Sequence, residues 1–137
     1  MTFEATSPEY FLPDRLVCIS GLITCLGVVA QAGSTSGKVA GHFITPIAVD
    51  GSSLTAEGRD FLDEIVRLVK EQDWSTDKTS ITCYCAPRLD GKVWKETTVA
   101  YEAIVEYLKD WKVETIMEQP VDDKHEASFS VLRYSKK

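Results

Sequence analysis

From Arg15 onward, apolar and polar positions fall into short runs of strand length, interrupted twice by helical spacing. "RLVCIS" (Arg15–Ser20) reads as a short strand, and "CLGVVAQ" (Cys25–Gln31) is near-continuously apolar, the mark of a strand buried on both faces. "AGSTSG" (Ala32–Gly37) is a turn by composition, and "KVAGHFIT" (Lys38–Thr45) is a third strand that Pro46 stops. In "SSLTAEGRDFLDEIVRLVKEQDW", Leu54, Phe61, Leu62, Ile65, Leu68 and Val69 share one helical stripe. Ser53 or Thr55 can cap that helix, and Asp63 stands four before Arg67 on its wet face. "SITCYCAP" (Ser80–Pro87) is a strand rich in β-branched and aromatic residues. A second helix is expected from about Thr98, with Tyr101, Ile104, Val105, Leu108 and Trp111 at helical spacing. "VETIME" (Val113–Glu118) and "ASFSVLRYS" (Ala127–Ser135) close the chain as strands joined by a polar loop. The first 14 residues read as a polar arm.

The predicted order is β-β-β-α-β-α-β-β. Two amphipathic helices among strands must cover their apolar stripes on a sheet, so the expectation is an α/β fold, a mixed β-sheet sandwich with both helices packed on it. A chain of 137 residues is the size of one domain, here residues 1–137.

The net charge of −6, with no basic stripe, argues against nucleic acid or an anionic membrane as partner. No run approaches the ~20 apolar residues that span a bilayer. The N-terminus is acidic where a signal peptide is basic, and the chain contains no Asn to glycosylate. Cys18, Cys25, Cys83 and Cys85 then read as reduced thiols in a cytoplasmic protein.

Among chemically capable residues, Cys25 and His42 stand out. Thiolate is the nucleophile of cysteine chemistry, and a neighbouring imidazole lowers the thiol pKa. Two strands joined by a short turn can set positions 25 and 42 side by side. A buried structural cysteine beside a hydrogen-bonded strand histidine fits the same pattern. "GSTSGK" (Gly33–Lys38) invites a phosphate-loop reading, but Ala32 and Val39 occupy positions that the motif gives to Gly and Ser/Thr. Cys83 and Cys85 are too closely spaced for a zinc arm, and no second arm matches them. His125 sits among Asp122, Asp123, Lys124 and Glu126, a solvated loop, while Trp74, Trp94 and Trp111 mark element boundaries.

"GLITCLGVVA" followed by "KVAGHFITP" resembles the chemotaxis glutamine deamidase CheD family, whose signature is a Gly-Leu-Gly-Ser-Cys run and a later (A/G)-His-(F/V)-x-x-Pro strand. The family's catalytic Cys and His fall on Cys25 and His42, seventeen residues apart as in the family. "AYEAIVEYLKDWKVETIME" continues the likeness, which covers most of residues 15–135. The sequence departs from the family at two places. The family's third catalytic residue, a Thr six before the Cys, is Ile19 here, and the Gly-Ser before the Cys is Ile23-Thr24. Either a bulge re-aims the adjacent Ser20 into the catalytic set, or a backbone carbonyl orients His42, as in the related cytotoxic necrotizing factor deamidases.

The resemblance implies a cysteine-dependent amidohydrolase converting a protein glutamine to glutamate and ammonia through a thioester, with no metal or organic cofactor. Its partner would be a glutamine-bearing protein substrate, a receptor helix in the chemotaxis family or a host protein in the toxin relatives. The alternative is a non-catalytic interaction domain that keeps the fold, motivated by the two departures.

Overall fold

The computed structural model describes residues 2–33, 35–88, 90–117 and 128–130. In chain order its strands are β1 (Thr2–Glu4), β2 (Glu9–Phe11), β3 (Leu16–Ser20), β4 (Leu26–Gln31), β5 (Lys38–Phe43), β6 (Val49–Asp50), β7 (Ser53–Leu54), β8 (Ser80–Cys85), β9 (Lys112–Met117) and β10 (Ser128–Ser130). Its helices are α1 (Thr45–Ala48), α2 (Ala56–Glu71) and α3 (Lys95–Tyr107). The fold is mixed α/β, as expected, and the expected β-β-β-α-β-α-β-β order corresponds to β3, β4, β5, α2, β8, α3, β9 and β10, with β1, β2, α1, β6 and β7 in addition.

Strand β4 explains why its sequence shows no polar alternation. It lies at the centre of a five-stranded sheet of order β2-β5-β4-β8-β9, antiparallel except for the β8–β9 pair. Leu26, Val28 and Ala30 face α2 and α3, where Leu62, Ile65, Val69, Ala100 and Ile104 complete one core. Val29 faces the other way, joining Val17, Ile19 and Leu22 around a second core. That second core is closed by a three-stranded sheet of order β1-β3-β10. Burying each such aliphatic side chain stabilises the fold by about 1.5–3 kcal/mol. Two cores therefore demand an apolar residue at every position of the strand between them.

Several local expectations are corrected. The polar arm carries β1 and β2, which are held by backbone pairing and by the buried Ala5 and Phe11. Pro46 opens α1 rather than merely stopping β5, because a proline at the first helical positions loses no hydrogen bond. α3 begins at Lys95, with Ala100, Ile104 and Leu108 inside and Val105 turned outward. Arg67 pairs with Glu64 and Glu71 rather than Asp63, whose carboxylate accepts the Tyr107 hydroxyl at 2.7 Å. Thr55 is the cap of α2, its hydroxyl accepting the Gly58 N–H at 3.1 Å. The remainder of the expected 127–135 strand and the loop bearing His125 lie outside the described residues. Among the described residues no helix is long and apolar enough to cross a membrane.

Candidate active site

Strand β3 belongs to the small sheet and β4 to the large one, so the chain must cross between sheets over residues 21–24. Gly21 makes the turn at φ +76°, a conformation that side chains other than glycine's strain to adopt. Leu22 fills the gap beneath it, fully buried. Cys25 emerges immediately before β4. On β5, His42 lies directly opposite Gly27. The His42 N–H points outward to the Thr6 carbonyl at 2.6 Å, so the Gly27–His42 pair is of the non-hydrogen-bonded kind, in which backbones come within about 4.5 Å.

Cys25 precedes Gly27 by two residues and packs against the same core as Val29, which sets it on the face that carries His42. Diagonal neighbours of this kind lie roughly 7–8 Å apart at the backbone, and the Cys25 thiol does not reach His42 Nε2 as a hydrogen-bond partner. Gly27 puts no side chain between them. A β-carbon there would come within 2.9 Å of Ile19 Cδ1, because Ile19 and Leu22 cross directly over that position. The imidazole also lies near the turn: a β-carbon on Gly21 would be 4.0 Å from His42 Cε1.

The electrostatics describe a neutral resting pair. Burial pushes the Cys25 thiol up, and hydrogen bonding from the Thr45 main chain and the Thr24 side chain only partly offsets it. Burial likewise holds His42 below its ordinary value of 6.5, against the opposing pull of the Glu4 carboxylate. The expectation of a thiol acidified by its neighbour is not met: burial is the largest influence on both groups, and neither is shifted by the other. His42 Nε2 is buried and has no hydrogen-bond partner among the described residues.

Three threonines that the sequence reading did not assign hold the cysteine in place. The Thr24 carbonyl accepts a hydroxyl hydrogen bond from Thr45 on α1 at 2.9 Å and another from Thr97 on α3 at 3.1 Å. Both donors are buried, Thr97 at 1% exposure. In a trans peptide the N–H points opposite to the carbonyl, so pinning Thr24 C=O fixes the direction of the Cys25 N–H. That N–H has no main-chain partner among the described residues. Glu4 was missed for a different reason, since it lies on a strand read as a polar arm. The Thr97–Thr24 contact spans 73 residues and leaves no sequence signal.

Ser20 ends β3 opposite Ser128. Its backbone is described and its side chain is not. Ile19, at the position of the family's threonine, is fully buried against Gly27 and supplies no hydroxyl to the site. The "GSTSGK" segment is a turn closed on itself: the Ser36 hydroxyl oxygen accepts from the Ala32 and Gly33 amides, and Lys38 is fully buried. All four cysteines are free thiols, with Cys83 and Cys85 buried under the helices. Among the described residues no three His, Cys, Asp or Glu side chains cluster as a metal site would require. In comparisons with known proteins, the chain matches no family model and no curated protein.

Proposed function

We propose that the protein is a cysteine-dependent protein-glutamine deamidase of the CheD-like kind, with Cys25 as nucleophile and His42 as general base and acid. The observation that carries this reading is the buried, unpartnered Nε2 of His42 on the face that Cys25 shares. A buried imidazole nitrogen without a partner is costly, and keeping it free to take up and return a proton gives a reason for bearing that cost.

The neutral pair sets the order of events. His42 takes the Cys25 proton as sulfur attacks the carboxamide carbon, so the thiolate is generated during the attack rather than stored beforehand. The Cys25 N–H, aimed by the pinned Thr24 peptide, donates to the oxyanion of the tetrahedral intermediate. His42 then protonates the departing nitrogen, and ammonia leaves a γ-glutamyl thioester. Water, deprotonated by the same imidazole, hydrolyses the thioester to glutamate and restores the thiol. No step calls on a metal or an organic cofactor.

The test is ammonia release from glutamine-bearing proteins such as casein, repeated with hydroxylamine in place of water. A thioester route yields γ-glutamyl hydroxamate at the modified glutamine, and its absence alongside released ammonia would rule out the covalent step. A second reading, a non-catalytic interaction domain, is favoured by the buried Ile19 where the family has a hydroxyl. It predicts no ammonia from any substrate and the same partner binding after Cys25→Ala.

A further inference from the structure

An apolar groove of about 470 Å³ opens on the opposite flank of β5 from Cys25. Pro8, Ile44, Ile47 and Phe61 line it, and Ile44 and Ile47 remain 43% and 56% exposed. Its volume lies within the roughly 300–1,000 Å³ of sites that enclose a ligand. Its rim is one-signed: Glu57, Asp60 and Glu64 project from consecutive turns of α2, and no Lys or Arg lines the groove. Glu64 is engaged by Arg67, while no ion pair among the described residues holds Glu57 or Asp60. His42 lines the groove too, and Cys25 is its diagonal neighbour across the β4–β5 pair, roughly 7–8 Å away at the backbone.

We propose that this groove seats an aliphatic side chain of the protein substrate, flanked by Lys or Arg, and so delivers a neighbouring glutamine to Cys25. The inference rests on the deamidase reading and adds a substrate class to it: a basic, apolar protein segment. An apolar floor selects an aliphatic anchor over a carboxamide, which would be desolvated there without partners. Two rim carboxylates that no ion pair holds among the described residues select cations beside that anchor and disfavour acidic segments.

Two fluorescent peptides test it, alike except that one carries Lys on both sides of a Leu near its glutamine and the other carries Glu. Binding to the Cys25→Ala protein is followed by anisotropy at low salt. The basic peptide is expected to bind at least about tenfold tighter, with the preference lost in the exposed double variant Glu57→Lys/Asp60→Lys and the affinity lost in Ile47→Asp. Equal binding of the two peptides, or a preference unchanged by the charge reversal, overturns the assignment. So does concentration-dependent dimerisation abolished by Ile47→Asp, which would give the groove to a second copy of the chain. Ammonia release by the protein with Cys25 intact is read separately. Groove-dependent binding with no ammonia from any glutamine substrate overturns the deamidase reading and leaves the groove's specificity standing. Release from the basic peptide at an unchanged rate in the double variant overturns the groove alone.

Discussion

At the scale of single residues, the catalytic proposal stands on a pair acting as a unit. Cys25→Ser should lower ammonia release by at least about a thousandfold, roughly 4 kcal/mol of barrier, because a hydroxyl is a far weaker nucleophile at neutral pH. His42→Ala should be nearly as damaging, and the double variant little worse than either. Full activity in Cys25→Ser would end the assignment. Ser20→Ala separates a hydroxyl from a carbonyl as the orienting group: a ten- to hundredfold loss, about 1.4–2.7 kcal/mol, assigns the role to Ser20, and no loss assigns it to main chain. The pH profile follows from the directions of the two shifts. His42 is depressed from 6.5, so activity should hold through neutrality and fall only below that value, as the base is protonated. Glu4 favours the imidazolium, so Glu4→Gln should move this acid limb to still lower pH. An acid limb that moves upward would contradict that role. Iodoacetamide should alkylate resting Cys25 fastest above pH 9, its raised thiol being protonated at neutrality. Cys25 and His42 could be named from the sequence because both their spacing and the residues around them resemble a known pattern. Glu4, Thr45 and Thr97 could not, because only the folded chain brings them near residues 24, 25 and 42.

Among the elements, periodicity exposed those that bury a continuous stripe. β4 and α2 were legible for that reason, and the β4–β5 turn followed from its small polar residues. What stayed hidden was structure held by the backbone. β1 and β2 are three residues each, too short for alternation to register, and α1 is a single turn whose proline reads equally as a stop. Of these short elements α1 matters directly to the site, because it brings Thr45 to the Thr24 carbonyl, where α3 brings Thr97. Replacing Thr45 or Thr97 with Val keeps the shape and removes the hydroxyl. Each change should lower kcat about ten- to a hundredfold with KM little changed, because it loosens a donor needed chiefly in the transition state. Thr97→Ser should restore most of the rate. Equal effects on KM and kcat, or no rescue by Ser, would reduce both threonines to packing residues.

On the scale of the whole molecule, the second sheet is what the sequence could not show. Its strands read as an arm, a short strand and a terminal strand, and nothing in their composition says that they form a separate layer. That layer creates the second core, and with it the burial of Lys38. Its side chain is fully buried, and Nζ has no hydrogen-bond partner among the described residues. Desolvation lowers its pKa, so below 10.5 the unfolded chain binds a proton that the folded chain releases more readily. Stability should therefore rise with pH through the window between the depressed value and 10.5. Lys38→Met should remove that slope and stabilise the fold at neutral pH by about 1–3 kcal/mol, the cost of an unpaired buried polar group; a destabilised variant would show that the amine has a partner.

The same two-core layout fixes how the four thiols respond to reagent. Cys18 and Cys25 are partly exposed, on β3 and just before β4. Cys83 and Cys85 point from β8 into the core beneath the helices, and burial pushes the Cys83 thiol up to about 12. A disulfide-exchange reagent needs both access and a thiolate. Burial raises the Cys18 and Cys25 thiols too, so native protein should titrate only these two, faster above pH 9 than at pH 8, and denatured protein without reductant should titrate four. The two buried thiols should react only as fast as the helices open from the sheet, so their rate should match global unfolding and respond to Leu62→Ala. Four rapid thiols in the native protein would mean that α2 and α3 do not cover β8. Fewer than four in denaturant would mean that oxidation has joined cysteines that are free in the fold.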